Sequence, residues 1–555
     1  MKNYFCLSCR QISLSLMLLA ASVITSFSQG FSPATQAKLT QVIESFQNNN
    51  DHPFIGGMSV AIKVDGLALW QGATGFSARN TDAQNNLFPG GTPFTTDTLS
   101  RVYSITKTFT APLVLELAKE GAFALSDPIS QYLPLISVIN PGIKSNVTIH
   151  QLLAHESGFS DYTSEIALQI AVAFSPSHVW TPYEMVSFVH QVDEPGAIRR
   201  YSSTNYVLLG AIIEAATGKP VEQHFRERFF TLLGFKSMYL AERENIGTRG
   251  MLASPHDNIG AFNPIFQFTG QPTFPNGYTN ISRFPMTAIG SLAFTGGAIV
   301  SNAADVAEWG NALFGGRATG RSIIDTMLNS ISTTPDQDGD KLGYGIFTNT
   351  KISASDYFVG HDGNAVGYKS VMFYQPDRKM TIAVLTNFAG ADVYAIAKAL
   401  YNALPDFLCG NNNKKEDKII VCFNGKSLCI DRNAAPGFIQ KGAYLGACFP
   451  AISKSNRSPA NTSGKLTDNA DKIIAFPNPF TNTAHLSFSA SKSGPASIRL
   501  FDLNGKLLSV LYSQPVEKNK QYQVNVEAGK LTPGVYICSL QTAAGISQQK
   551  LVLKK

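Results

Sequence analysis

The sequence predicts an α/β protein in parts: a large mixed domain over residues 29–405, a small cysteine module at 406–450, a linker at 451–472 and a C-terminal β-sandwich at 473–555. Three observations carry this. Strand-like runs near residue 60 and again near residue 370 bracket a helix-rich middle, so one sheet draws on both ends of that stretch. Four cysteines crowd into forty residues after a long cysteine-free stretch, and the last eighty residues alternate apolar and polar between turn signals.

Taken in order, Thr35–Phe46 has helical periodicity (Leu39, Val42, Ile43, Phe46), and Met58–Val64 with Ala68–Gln71 form a hairpin about Asp65-Gly66. A helix from Ser104 to Glu120 ends at Gly121, and further helices fit Thr148–Ala154, Pro182–His190, Tyr206–Ala216, Val221–Thr231 and Ala303–Phe314. Strands return at Tyr357–His361, Tyr368–Gln375 and Met380–Asn387 before a helix at Val393–Ala403. Residues 451–471 are rich in Ser, Asn and Lys without apolar periodicity, which defines the linker. Seven strands follow: Ile473–Phe476, Ala484–Ser489, Ala496–Asp502, Leu507–Tyr512, Gln521–Val526, Val535–Thr542 and Ile546–Leu553.

Composition narrows the class. The 555 residues are 44% hydrophobic and 15% charged, values of a folded protein and of neither a disordered nor a polytopic membrane chain. Net charge is +6, unevenly spread: residues 406–555 hold 19 Lys and Arg against 9 Asp and Glu, leaving 26 against 30 for residues 1–405. The basic residues are scattered among Asn, Gly and Ser without stacking aromatics, so no nucleic-acid partner is expected. At the start, Lys2 and Arg10 precede an apolar run from Ile12 to Thr25 and small residues at Ser26–Ser28, the pattern of a signal peptide over residues 1–28. No later run reaches membrane-spanning length, so no transmembrane segment is expected in the mature chain. In an exported chain Cys409, Cys422, Cys429 and Cys448 read as two disulfides rather than a zinc site, because paired C-x-x-C spacing is absent. Asn424-Gly425 suggests a hairpin closed by Cys422–Cys429, which would leave Cys409–Cys448.

Three segments can carry chemistry. Ser104 and Lys107, three apart at the start of a helix, share a face, so the amine can take the hydroxyl's proton while the helix N-terminus offers an N–H to an oxyanion. The same S-x-x-K spacing recurs at Ser489–Lys492 and Ser547–Lys550, where only chance accounts for it, so the motif needs context. Tyr201, in Arg200–Tyr206, stands on a loop before an apolar helix and can shuttle a proton. His361-Asp362-Gly363-Asn364 ends a strand that can give a second N–H from Asn364, with His361 facing the pocket and Gly363 allowing substrate to approach. No H-E-x-x-H, carboxylate cluster or phosphate-binding glycine loop is evident, so neither metal nor cofactor is expected.

Taken together, S-x-x-K at 104–107, Tyr-Ser-x-x-Asn-Tyr at 201–206 and H-x-G at 361–363 resemble the penicillin-recognising serine hydrolases of the class C β-lactamase and D-Ala-D-Ala carboxypeptidase type. The similarity continues through Gly57–Ala61, Leu125–Pro128, Leu152–Gly158 and Gly296–Ser301. The resemblance implies an antiparallel sheet flanked by helices plus a helical region, with Ser104 acylated, Lys107 and Tyr201 moving its proton, and the N–H groups of Ser104 and Asn364 as the oxyanion hole. It also places His361, Gly363 and Ser203 against a small-molecule or peptide substrate. Where the family commonly has Tyr-x-Asn this chain has Ser203, which offers no side-chain amide, and His361 stands where typical β-lactamases have Lys. Peptidase or esterase turnover is therefore expected over β-lactam hydrolysis. The rival is a catalytically silent surface protein that binds peptide or cell-wall fragments.

The tail has a resemblance of its own. Phe476–Phe480, Ile498–Lys506, Gly534-Val535-Tyr536 and the closing Lys550–Lys555 are similar to the C-terminal sorting domain of type IX secretion. It implies the secretion machinery as a partner through residues 473–555, passage through the periplasm and across the outer membrane, and a secreted or cell-surface protein.

Overall fold

The computed structural model describes residues 30–48, 54–336, 338–409, 417–448, 472–478, 480–501, 507–529, 531–542 and 545–554. The expected signal peptide and nearly all of the expected linker lie outside them. Two compact units divide the chain near residue 453, and each is described by itself.

In the first unit, helix α1 (Pro33–Gln47) starts on a Ser32 side-chain cap with proline in its first turn. Strands β1 (Gly57–Val64) and β2 (Ala68–Thr81) turn about Asp65-Gly66, where Gly66 takes a left-handed φ of 66°. Strand β3 (Leu87–Pro93), LFPGGTP, was not expected from its proline and glycine content; it is an edge strand, where those residues are tolerated. The helical middle holds α2 (Lys107–Lys119), α3 (Ser203–Thr217), stopped by left-handed Gly218, and α4 (Ala303–Phe314). Strands β4 (Lys341–Leu342), β5 (Phe347–Asn349), β6 (Phe358–Ala365), β7 (Tyr368–Gln375) and β8 (Met380–Thr386) precede α5 (Val393–Ala403).

All eight strands form one antiparallel sheet in the order β3-β2-β1-β8-β7-β6-β5-β4, so β1 pairs directly with β8. The central strands are apolar on both faces because both are covered. Val60, Ile62, Ile382, Val384 and Phe373 pack with Leu39 and Ile43 of α1 and Ile396 and Leu400 of α5. Ala61, Ala383, Leu385 and Met372 face the other core, with α4 and the helical region. There Phe109 of α2 stacks on Trp309 of α4 at 3.8 Å between centroids, and Trp309 Nε1 donates to Thr108 Oγ1 at 2.8 Å.

The cysteine segment forms a four-stranded sheet of Leu408–Cys409, Lys418–Phe423, Lys426–Asp431 and Tyr444–Leu445. Its apolar residues Ile419, Val421, Ala435 and Leu445 join the α1/α5 core, and Leu445 N–H donates to Gly30 O at 2.8 Å. The two disulfides are Cys409–Cys429 and Cys422–Cys448, which corrects the pairing inferred from the hairpin. The hairpin at Asn424-Gly425 exists, but its register sets Cys422 opposite Ser427 and Cys429 opposite Ile420. Cys429 therefore bridges to the far side of the central strand, and Cys422 meets the chain after Leu445.

The second unit is a sandwich of seven strands, as expected. A three-stranded sheet (Lys472–Phe476, Thr483–Ser489, Gln521–Glu527) faces a four-stranded one (Leu507–Val516, Gly494–Phe501, Gly534–Thr542, Gly545–Leu553) around Phe480, Leu486, Phe488, Ile498, Leu500, Leu540 and Leu551.

Candidate active site

Ser104 does not sit in a regular α-helix. It occupies a 3₁₀ turn, Tyr103–Thr106, that feeds α2. Tyr103, just before it, holds a left-handed φ of 44°, a conformation costing about 1–3 kcal/mol in a residue with a side chain. Three anchors hold it: Val102 N–H on Ile299 O at 3.0 Å, Tyr103 Oη on Val366 O at 2.9 Å, and Ile299 N–H on Thr106 Oγ1 at 3.1 Å.

Two groups converge on the hydroxyl. Lys107 Nζ and Tyr201 Oη each lie 2.9 Å from Ser104 Oγ. Lys107 is fully buried on α2 and also donates to Gly296 O at 2.8 Å, with Ser203 Oγ 3.5 Å away. That carbonyl is delivered by the kink at Phe294 (φ 34°, ψ −129°) that interrupts the helical span Thr287–Gly297. Burial drives the Lys107 amine down to about 7, against the pull of Asp161 and Asp362. Burial acts oppositely on the phenol, holding Tyr201 well above its usual value despite the hydrogen bond with Ser104. Near neutrality the site thus offers an amine able to accept a proton and a phenol that keeps its own.

Tyr201 is set by what lies behind it. The His155 ring is stacked on Tyr201 at 4.7 Å and packs against Tyr206 at 5.0 Å, and its Nδ1 accepts the Ser202 N–H at 3.2 Å. Burial keeps His155 neutral. Asp161 Oδ2 accepts the Ser203 N–H at 3.0 Å, which starts α3 three residues earlier than its apolar pattern suggests.

Strand β6 supplies the third segment, differently from expectation. His361 is 2% exposed and does not border the cavity; it packs edge-on against Phe347 at 4.8 Å, behind Tyr201 at 5.9 Å, with Nδ1 2.7 Å from Asp362 O. Burial, helped by Lys107, brings it to about 3, so it carries no charge. A Cβ on Gly363 would strike the Val102 carbonyl, so the glycine lets β6 close on the turn carrying Ser104, and is not a gap left for substrate. Asp362 and Asn364 border the cavity, on the opposite side of the strand from His361 and Gly363.

The cavity, about 710 Å³, brings Ser104, Tyr201, Ser203 and Asn364 together. One part of its wall is apolar, with Leu168, Val172, Phe262, Phe266, Phe284 and Leu292. Another holds carboxylates that sequence reading passed over: Asp336, Asp338 and Asp340 from one loop, with Asp362 and Asp161. Their DQDGD spacing was the available signal; their meeting with Asp362 was not visible before folding. Among the described residues no group of His, Cys, Asp or Glu is arranged to hold a metal ion.

An antiparallel sheet between helices, with a serine, a buried lysine and a tyrosine gathered at a turn into the central helix, defines a serine hydrolase. The chain belongs to the β-lactamase family, whose model matches residues 42–405, and residues 474–554 match the secretion system C-terminal sorting domain. Penicillin-binding protein 4 of Amycolatopsis lactamdurans is 30% identical over 201 residues, 36% of this chain and 49% of that protein. The D-aminopeptidase of Brucella anthropi is 24% identical over 357 residues, 63% of this chain and 60% of that protein. The chain thus spans about half to three fifths of these curated relatives. Among solved structures, a D-stereospecific amidohydrolase from Streptomyces is 25% identical with a TM-score of 0.51, covering 65% of this chain and 97% of that one. The D-amino acid amidase of Ochrobactrum anthropi complexed with L-phenylalanine is 25% identical with a TM-score of 0.53, covering 67% and 98%.

Proposed function

We propose that this chain hydrolyses an amide or ester bond through an acyl-enzyme on Ser104, as an exported peptidase or amidase. The observation that carries the reading is the convergence of Lys107 Nζ and Tyr201 Oη on one hydroxyl, each at 2.9 Å. Lys107, neutral above about pH 7, accepts the Ser104 proton as Oγ bonds to the substrate carbonyl carbon. The oxyanion is held by the backbone N–H groups of Ser104 and Asn364. The proton returns through the Tyr201 hydroxyl to the leaving nitrogen or oxygen as its bond to carbon breaks, and water attacking the acyl carbonyl by the same relay frees Ser104. D-aminopeptidase and D-amino acid amidase activities among the relatives support an amide over an ester substrate. Neutral His361 supplies no cation for a penicillin carboxylate, which supports weak β-lactam turnover. The sorting domain supports delivery across the outer membrane to the cell surface or the medium.

The test is mass spectrometry of the purified protein after incubation with a fluorophosphonate and, separately, a penicillin, with Ser104→Ala as control. An adduct mapped to Ser104 and absent from the variant is expected with the fluorophosphonate. Folded protein that takes no adduct from either reagent overturns the reading and favours a binding protein.

A further inference from the structure

The cavity beside Ser104 is lined by more negative than positive groups. Among its described lining residues five are carboxylates, Asp161, Asp336, Asp338, Asp340 and Asp362, and the single cation is Lys351. Several of these are already engaged. Asp161 takes the Ser203 N–H, Asp336 Oδ1 takes the N–H groups of Asp338 and Asp340 at 2.9 Å, and Asp362 Oδ2 takes Tyr394 Oη at 2.9 Å. Asp340 is the exception. It is 9% exposed and its Oδ2 takes Lys351 Nζ at 3.1 Å, but its Oδ1, buried, has no hydrogen-bond partner. A buried carboxylate oxygen left without a donor is costly, and a donor carrying positive charge relieves it most.

Resting on the acyl-enzyme reading, we infer that the substrate carries a cationic group, an amine or guanidinium, that seats against Asp340 and Asp362 while an apolar group lies against Phe262, Phe266 and Phe284. The two kinds of wall border one cavity with Ser104, so a single molecule can meet both. Burial, with Asp362 and Asp336 adding repulsion at Asp340, raises both carboxyl groups from their ordinary value despite the pull of Lys351, a strain that an incoming cation relieves. The carboxylates also disfavour an anionic substrate, whose charge would meet them unpaired.

The test needs no knowledge of the natural substrate. The rate of fluorophosphonate labelling of Ser104 in the full chain is measured in the presence of 4-phenylbutylamine or of its N-acetyl derivative, which keeps the ring and loses the charge. The amine is expected to protect Ser104 at about tenfold lower concentration, the scale of one charge-assisted hydrogen bond, with the advantage shrinking as salt is raised. Asp340→Asn and Asp362→Asn should each reduce the advantage, and Lys351→Met, which frees the second oxygen of Asp340, should enlarge it. Equal protection by both compounds, protection by neither, or an advantage unchanged in all three variants overturns the inference while leaving the Ser104 reading in place. Failure of Ser104 to label at all overturns both.

Discussion

The chain contains the same four-residue spacing in both units, at Ser104–Lys107 in the hydrolase unit and, among others, at Ser547–Lys550 in the sandwich. In the first, a 3₁₀ turn running into α2 puts both side chains on one side, and burial strips the lysine of water. In the second, the residues lie on one strand, Gly545–Leu553, where positions three apart point to opposite faces, and Lys550 is exposed. Ser489 and Lys492 differ again: both are exposed, with the serine ending a strand. The meeting of a lysine and a tyrosine on one serine is thus made by backbone geometry and desolvation, and not by spacing.

That contrast can be broken by experiment. Ser104→Ala should lower kcat/KM for any hydrolysed substrate by about 10⁴-fold or more, whereas Ser489→Ala and Ser547→Ala should leave it at the wild-type value. Lys107→Met should cost about 10³–10⁴-fold, and Lys550→Met nothing measurable; in the wild type, labelling of Ser104 should rise with pH about a midpoint near 7. A flat profile between pH 5 and 9 would remove Lys107 as the base. Tyr201→Phe, which keeps the ring against His155 and removes the hydroxyl, should cost about 10²–10³-fold, and an unchanged rate would assign proton return to another group.

The smallest effect concerns stability. The folded-state value of Lys107 lies below that of a free lysine, so the penalty for burying it is full below about pH 7 and fades as pH rises toward 10.5. Denaturant unfolding should therefore show Lys107→Met better placed relative to wild type at pH 6 than at pH 9, by about 2–3 kcal/mol. A gap that does not change with pH would mean that the amine is not desolvated.

Much of this was legible before folding. The strands of the sandwich were marked by alternation and turn residues, and the ends of the hydrolase sheet by apolar runs buried on both faces. The meeting of Ser104, Lys107 and Tyr201, the proposed catalytic trio, was legible because each member sits in a local pattern. What stayed hidden depended on distant approach. His361 looked like a pocket residue because the face of β6 that meets the cavity is decided by β7 and by the turn at Val102, not by its own sequence. Gly296 was visible within a segment similar to the family, but not that its carbonyl holds Lys107, since the kink at Phe294 that aims it has no sequence signature. The disulfide pairing failed because the two-residue turn at Asn424-Gly425 sets Cys422 opposite Ser427 and not Cys429, while the segments that bring Cys409 and Cys448 alongside come from outside the hairpin.

The pairing of β1 with β8 carries a consequence in time. Met58 meets Thr386 and Val64 meets Met380, so the middle of the sheet is closed by residues separated by more than half the chain. As synthesis proceeds from the N-terminus, β1 finds α1 and β2 early but lacks its other strand neighbour until residue 386 has been made, and α4 and α5 also come late. Contacts of such long sequence separation form late and slowly. The order of the strands therefore leaves the centre of the sheet as the last part of it to close.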